Sequence, residues 1–230
     1  MRLALLGPPG AGKGTQARRI CQTFNLVHLS SGDILRTEKM AGTAHGRRIR
    51  DFIDRGMLVP DSLMLGIMQN RICALQQGFV LDGFPRTLPQ AKELSRLLKH
   101  IKRPLDLVIN LDVPMDVLSR RFEGRRVCPI CRDVYHIDSN PPVKPGICNN
   151  EGSRLIIRED DMPEVVRTRL STYKKLTAPL IEFYATTEAD RLVTINSAGQ
   201  PDEVTKLVFA AIEKRRASQI SHNGKPETAA

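Results

Sequence analysis

Tryptophan is absent from this 230-residue chain, and aromatic residues of all kinds make up only 4% of it. The interior must therefore be filled by aliphatic side chains, and the rings that stack on single-stranded nucleic acid are in short supply. Long hydrophobic runs are missing as well. A stretch such as Leu105–Val113 is broken by charges and falls far short of the roughly 20 apolar residues that a membrane-spanning helix needs, so no membrane association is expected. Met1 leads straight into an apolar run, leaving no room for a secretory leader, and the expected location is cytoplasmic. Acidic residues are outnumbered: 25 Asp and Glu face 35 Lys and Arg, a formal charge of +10. Such an excess calls for anionic partners. The basic residues are scattered rather than blocked together, which favours phosphorylated small molecules over nucleic acid. Five cysteines without a leader do not suggest disulfides; Cys21 and Cys73 fall in apolar helical patterns and read as buried thiols without chemistry.

What the chain does have is alternation. Short aliphatic runs at Met1–Leu6, Leu26–Leu29, Gly78–Leu81, Leu105–Leu111 and Leu192–Ile195 read as strands. Helical spacing follows at Lys13–Phe24, Ser62–Leu75, Leu88–His100, Pro114–Phe122 and Pro201–Lys214. This predicts an α/β fold, a parallel five-stranded sheet flanked by helices. A long helix over Pro163–Thr186 is expected to kink at Pro179. Two segments interrupt the rhythm. Residues 30–59 read as a helical insertion, and residues 124–161, rich in Pro, Gly and Cys, as a lid with structure of its own around Val134-Tyr135-His136. The expected organisation is core at 1–29, 60–123 and 162–216, the two insertions between them, and a flexible tail at 217–230. The basic run Lys214-Arg215-Arg216 reads as a solvated helix end.

One motif carries most of the chemistry. Gly7-Pro8-Pro9-Gly10-Ala11-Gly12-Lys13-Gly14-Thr15 follows the first strand and opens a helix. Small residues let backbone N–H groups close around phosphate oxygens, the helix terminus adds its dipole, and Lys13 adds a full charge. This is a P-loop, and it implies nucleotide binding. It departs from the usual Gly-Lys-[Ser/Thr] ending because Gly14 stands between the lysine and the hydroxyl of Thr15.

Further motifs follow in order: Ser30-Ser31-Gly32-Asp33-Ile34-Leu35-Arg36, Gly56-Met57-Leu58-Val59-Pro60-Asp61, Leu81-Asp82-Gly83-Phe84-Pro85-Arg86-Thr87-Leu88-Pro89-Gln90, Gly124-Arg125-Arg126-Val127, Arg158-Glu159-Asp160-Asp161 and Arg167-Thr168-Arg169-Leu170. From Met1 to about Lys214 the chain resembles the adenylate kinases of the long-lid bacterial type, in their zinc-lid variant. The resemblance implies Mg²⁺-dependent phosphoryl transfer from ATP to AMP, giving two ADP, by a monomer that takes no nucleic acid. It implies that Gly10, Ala11, Gly12, Lys13, Gly14 and Thr15 cradle the ATP phosphates, and that Arg121, Arg125, Val134, Tyr135 and Gln200 complete the ATP site. Ser31, Arg36, Met57, Leu58, Val59, Gly83, Phe84, Pro85, Arg86, Gln90, Arg158 and Arg169 are the matching AMP positions. Thr15 and Asp82 are expected to hold Mg²⁺ through its waters, and Lys13, Arg86, Arg125, Arg158 and Arg169 to carry catalysis. Chemistry agrees with this set: an ionised phosphate acceptor needs positive charge, alignment and exclusion of water rather than a strong general base.

Cys128-x-x-Cys131 and Cys148 resemble the zinc-bearing lid of some members, with Glu151 at the position where those members carry Cys or Asp. A structural Zn²⁺ held by Cys128, Cys131, Cys148 and Glu151 is expected; His136 is the fallback ligand, and three free thiols are the alternative. Two other functions stay open at this stage. One is a kinase for a different nucleoside monophosphate, against which Gln90 and the long lid argue. The other is a basic zinc-ribbon module that binds nucleic acid, which leaves the arginine motifs unexplained.

Overall fold

The computed structural model describes residues 1–41 and 43–223. At its centre is a five-stranded parallel sheet made of β1 (Arg2–Leu6), β2 (Val27–Ser30), β3 (Phe79–Asp82), β4 (Leu107–Asp112) and β7 (Leu192–Asn196), in the order β2-β3-β1-β4-β7. Period-two alternation explains why the strands are apolar throughout. Ala4 and Leu6 join one core with Leu81, Val108 and helix residues such as Leu94. Leu3 and Leu5 face the opposite core with Val80, Ile109 and Ile20. A parallel sheet covered on both faces has no side left for polar residues.

The covering helices are α1 (Lys13–Phe24), α4 (Asp61–Ala74), α5 (Leu88–His100), α6 (Met115–Gly124), α7 (Pro163–Thr172), α8 (Pro179–Thr187) and α9 (Pro201–Asn223). The insertion at 30–59 is indeed helical: α2 (Ser31–Met40) and α3 (Ala44–Asp54). Their starts are written in the sequence, since Ser30 Oγ accepts from Asp33 N and Thr43 Oγ1 from Gly46 N. The lid segment forms a small antiparallel pair, β5 (Arg125–Val127) with β6 (Val134–His136), plus a bridge from Val127 to Ile156. It has its own core of Cys128, Tyr135, Cys148 and Leu155.

Three expectations need correction. The break in the long helix is a π-turn at Tyr173–Thr177, closed by Ala178 N on Tyr173 O at 2.9 Å. Pro179 merely opens α8, where its missing N–H costs nothing. The C-terminal helix does not fray at Lys214 but runs to Asn223. The reason lies far away in sequence. Asp106, buried and paired with Arg2 at 2.9 Å, also accepts from Gln219 Nε2 at 2.8 Å, while its carbonyl accepts from Arg215 Nε at 2.8 Å. Arg215 is thus a structural clamp rather than a solvated charge; the rest of the expected tail, 224–230, lies outside the described residues. Finally, Cys73 is exposed and Cys21 only partly covered, because each sits at the edge of its helix's apolar stripe. No helix among the described residues is long and apolar enough to cross a membrane.

Candidate active site

The C-terminal ends of β1 and β3 deliver the first groups. After Leu6 the chain turns through the P-loop, where Gly10 and Gly12 have φ of 88° and 90°, a backbone that glycine alone adopts without strain. Lys13 Nζ donates to the carbonyls of Gly7 at 2.7 Å and Pro8 at 2.8 Å. The glycine that interrupts the usual motif has a physical reason: a Cβ at Gly14 would stand 3.3 Å from Asp82 Oδ2. Asp82 also meets His28 Nε2 at 3.2 Å. Burial alone would raise its carboxyl, but the His28 bond and the charges of Lys13 and Arg86 outweigh it and hold the group below the usual carboxylate range.

Arg86 leaves the end of the β3 turn, with Nε on the Gly83 carbonyl at 2.7 Å and Nη2 at 3.4 Å from Ser31 Oγ. Gln90 caps this turn through Oε1, which accepts from Arg86 N at 2.8 Å, and ties it to Asp61 through Nε2 at 2.7 Å. One N–H and one lone pair of the amide stay uncommitted in these bonds, enough to meet a base edge.

The start of the lid and α7 supply more cations. Arg125 Nη1 contacts both oxygens of Asp161, at 3.0 and 3.2 Å, and Arg169 Nη1 reaches Asp161 Oδ1 at 3.0 Å. The Asp161 side chain is only 1% exposed. Arg169 also pairs with Asp160 at 3.3 Å, and Arg36 approaches the same carboxylate at 3.8 Å. Both Arg125 and Arg169 lie over the ring of Phe122, at 4.9 and 5.6 Å from its centroid.

These groups enclose one cavity of about 160 Å³ that Lys13, Thr15, Arg36, Asp82, Arg86, Arg125, Arg158 and Arg169 all line. Burial and the crowding of like charge weaken the hold of these groups on their protons. Burial, only partly offset by Asp82, lowers the Lys13 ammonium to about 7, and Arg86, Arg169 and Arg125 push in the same direction. Burial and neighbouring guanidinium groups likewise lower Arg86 and Arg158 to about 10. The arrangement is built to receive several negative charges at once.

A pocket opens on each side. One, of about 80 Å³, is lined by Ser31, Arg36, Met57, Leu58, Val59, Gly83, Arg86, Gln90 and Arg169. The other, of about 510 Å³, is lined by Gly10, Ala11, Gly12, Thr15, Arg121, Arg125, Val134, Tyr135 and Gln200, a volume ordinary for a ligand site. Arg121 belongs to this second pocket and not to the central cavity, with Nη2 on the carbonyls of Ser197 at 2.6 Å and Gly199 at 3.0 Å. Pro85 lines a smaller space beside Lys13 and Arg86. Phe84 is different: its side chain is 1% exposed and packs in the core, so only its backbone is left to meet a ligand. Sequence reasoning gave no role to His28, Asp61, Phe122, Asp160 or Asp161. The two adjacent carboxylates beside an arginine motif were the one visible signal.

In the lid, the Sγ atoms of Cys128, Cys131 and Cys148 lie within 4.8 Å of one another. Cys128 Sγ accepts from the N–H groups of Ile130 and Cys131, each at 3.4 Å, which favours a thiolate. This donor set suits Zn²⁺. Glu151 is not part of the group; it is exposed, in a turn closed by Gly152 N on Cys148 O at 3.0 Å. His136 is outside it too, its Nδ1 accepting from Asp138 N and Ser139 N. Two hydroxyls contact the sulfurs instead: Ser153 Oγ, 3.1 Å from Cys128 Sγ, and Tyr135 Oη, 3.5 Å from Cys148 Sγ.

Known proteins share this framework. A family-wide profile described as adenylate kinase matches residues 5–189. An adenylate kinase of Methanothrix thermoacetophila is 45% identical over 216 residues, covering 93% of this chain and 99% of the relative. One from Oceanobacillus iheyensis is 43% identical across 94% of this chain and its own whole length. Another, from Acetivibrio thermocellus, is 45% identical across 92% of this chain and 98% of its own. A profile match spanning most of the fold, with relatives this similar from end to end, places the chain in the adenylate kinase family.

Proposed function

We propose that this protein transfers the terminal phosphoryl group of ATP reversibly to AMP, yielding two ADP, by direct in-line displacement. The observation that carries this reading is the cation-lined cavity that shares Arg36, Arg86 and Arg169 with the smaller pocket and Gly10, Gly12, Thr15 and Arg125 with the larger one. ATP occupies the larger pocket, its phosphates on the backbone of Gly10–Thr15 with Arg121 beside them, and its adenine against Val134, Tyr135 and the backbone of Gln200. AMP occupies the smaller one, against Ser31, Met57–Val59, the Gly83–Pro85 turn and Gln90, with its phosphate on Arg36 and Arg86. Lys13, Arg86, Arg125, Arg158 and Arg169 then surround the group in flight. Their donors are fixed before the reaction, so charge develops against dipoles and cations that need not reorganise. The acceptor oxygen is already ionised, and no general base is required.

Asp82, kept anionic, and Thr15 offer hard oxygen donors on the same cavity, and they suit a Mg²⁺ that retains most of its waters. Bound there with ATP, the ion supplies charge neutralisation on the phosphate oxygens. We read residues 30–59 and 124–161 as two flaps whose closure over the nucleotides expels water, which would otherwise accept the phosphoryl group. The protein is read as a cytoplasmic monomer, with ATP, AMP and ADP as its partners.

A coupled assay for ADP formation, with ATP and Mg²⁺ and with AMP, CMP, UMP and GMP offered in parallel, tests the function. Fast turnover with AMP alone is expected. Preference for another acceptor overturns the role given to Gln90, and no transfer from folded protein overturns the kinase reading.

Lys13 supplies a second test. Its free-site value of about 7 must rise when a polyphosphate pairs with the ammonium, so binding takes up a proton at pH values between the free and the raised, bound value. At about pH 8, close to 0.9 proton per ATP is expected, falling to about 0.1 at pH 6, where Lys13 is already charged. Calorimetry in buffers of different ionisation enthalpy reads this directly. Equal uptake in Lys13→Met assigns the proton elsewhere.

For the lid we propose a structural Zn²⁺ on Cys128, Cys131 and Cys148, with Glu151 reaching it only if its turn rearranges. Purified protein is expected to carry one zinc per chain by elemental analysis, and Cys131→Ser to lose it. Glu151→Gln is expected to retain the metal; loss in that variant makes Glu151 the fourth ligand.

A further inference from the structure

One residue of the lid reaches across to the acceptor insertion in a way that none of the motifs explains. Arg132 follows Cys131 and has φ of 62°, a left-handed backbone that costs any residue with a Cβ and persists where surroundings enforce it. Here they do: Arg132 N donates to Cys128 O at 3.1 Å, closing the cysteine turn. The guanidinium then leaves the lid altogether. Nη1 donates to Thr37 Oγ1 at 2.9 Å and to Asp33 O at 3.4 Å, and Nη2 lies 3.6 Å from Met40 Sδ. Asp33, Thr37 and Met40 are spaced i, i+4, i+7, one stripe along α2.

The same helix carries Arg36, whose Nη2 is held by Asp33 Oδ1 at 2.7 Å and which lines the central cavity. Gripping the Asp33–Met40 stripe therefore fixes the helix that aims Arg36. A second contact of the same kind stands nearby: Lys39 on α2 bonds both Asp54 at 2.6 Å and Glu159, at the lid's C-terminal edge, at 2.8 Å. Among the described residues Arg132 pairs with no carboxylate, so its donors go to neutral acceptors on the opposite flap. An ordinary surface arginine gains little from such a posture, given the side-chain freedom it gives up.

We propose that Arg132 is a positioning residue that latches the lid to the acceptor insertion and thereby sets Arg36 for AMP. The proposal rests on the reading of 30–59 and 124–161 as flaps that close. It concerns equilibrium between open and closed forms, so removing the latch must weaken the substrate whose site it completes.

Arg132→Gly is the informative variant, because glycine takes the left-handed backbone without strain and the lid keeps its fold; Arg132→Asn, which tolerates the same backbone, repeats the test. Expected is a rise in the KM for AMP of roughly threefold to tenfold, the worth of one or two lost hydrogen bonds, with the KM for ATP little changed and kcat not lowered. Small-angle scattering of the nucleotide-free variant should show a larger radius of gyration than the native chain, and saturation with a bisubstrate dinucleotide should bring the two together. Thr37→Val should reproduce part of the effect, and adding it to Arg132→Gly should change nothing more. An unchanged KM for AMP, an unchanged scattering curve, or strictly additive effects of the two substitutions overturns the latch. A native chain that fails to compact with the dinucleotide overturns the closure reading and the latch together, whereas compaction without an Arg132 effect overturns the latch alone.

Discussion

Arg86→Ala is expected to lower kcat by about 10²- to 10³-fold, the usual loss when one preorganised donor to a developing charge is removed. The fold should survive. Arg86 is crowded by Arg169 and Arg36, and burial with that crowding lowers its guanidinium to about 10. A group whose protonated form is disfavoured in the folded state lowers stability wherever it is charged, so its removal does not lower the melting temperature by that route. The compensating loss is the bond to the Gly83 carbonyl at 2.7 Å, worth about 1 kcal/mol net. On the proposed reading, such a residue serves activity at some cost to stability. Arg86→Lys should recover only part of the rate, because one ammonium cannot both hold Gly83 and meet a phosphate edge in bidentate fashion. Near-normal turnover in Arg86→Ala would remove Arg86 from the catalytic set.

The second large effect belongs to a carboxylate. Asp161→Asn is expected to reduce kcat by roughly 10- to 100-fold, through loss of the preorganised geometry of two cations, and stability by about 2–4 kcal/mol. Asp161 bonds Arg125 and Arg169 at once, at 3.0 Å each, and faces almost no solvent. The asparagine is nearly the same size, so no cavity forms. What disappears is the negative charge that keeps two neighbouring guanidinium groups over the face of Phe122. Steady-state kinetics measures the first consequence and urea unfolding the second. A stable variant with native kcat would mean that Phe122 and Asp160 hold the arginines unaided.

Much of this architecture could be read from residue order. The five strands were visible because a doubly covered parallel sheet demands unbroken apolar runs, and the P-loop because its glycines and lysine have no other common use. The arginines of the central cavity came from motif order rather than from spacing. What stayed hidden depended on partners distant in sequence. Nothing around Arg215 and Gln219 says that α9 continues past Lys214; the reason is Asp106, more than a hundred residues upstream. The π-turn at Tyr173–Thr177 was masked by Pro179, the stronger local signal, although it is Thr177 whose hydroxyl reaches the Arg86 carbonyl at 2.8 Å. Glu151 was placed in the thiol group by position alone, and the structure leaves it outside because its turn closes early. Phe122 looked like one more apolar residue of α6 until two guanidinium groups were found on its ring.

The lid's small core of Cys128, Tyr135, Cys148 and Leu155 merges with neither face of the sheet. Its four buried residues stand apart from the 19 and 15 of the two sheet cores, and a segment with its own thin interior opens with a free energy of its own. Warming this protein should therefore separate two losses that a simple globule suffers together. On the proposed reading the cover would come loose first and take Arg125 and Arg158 from the cavity, so that phosphoryl transfer fails while the sheet beneath keeps its shape and its spectrum. Thermal wear would then show itself as idle enzyme before it showed itself as unfolding.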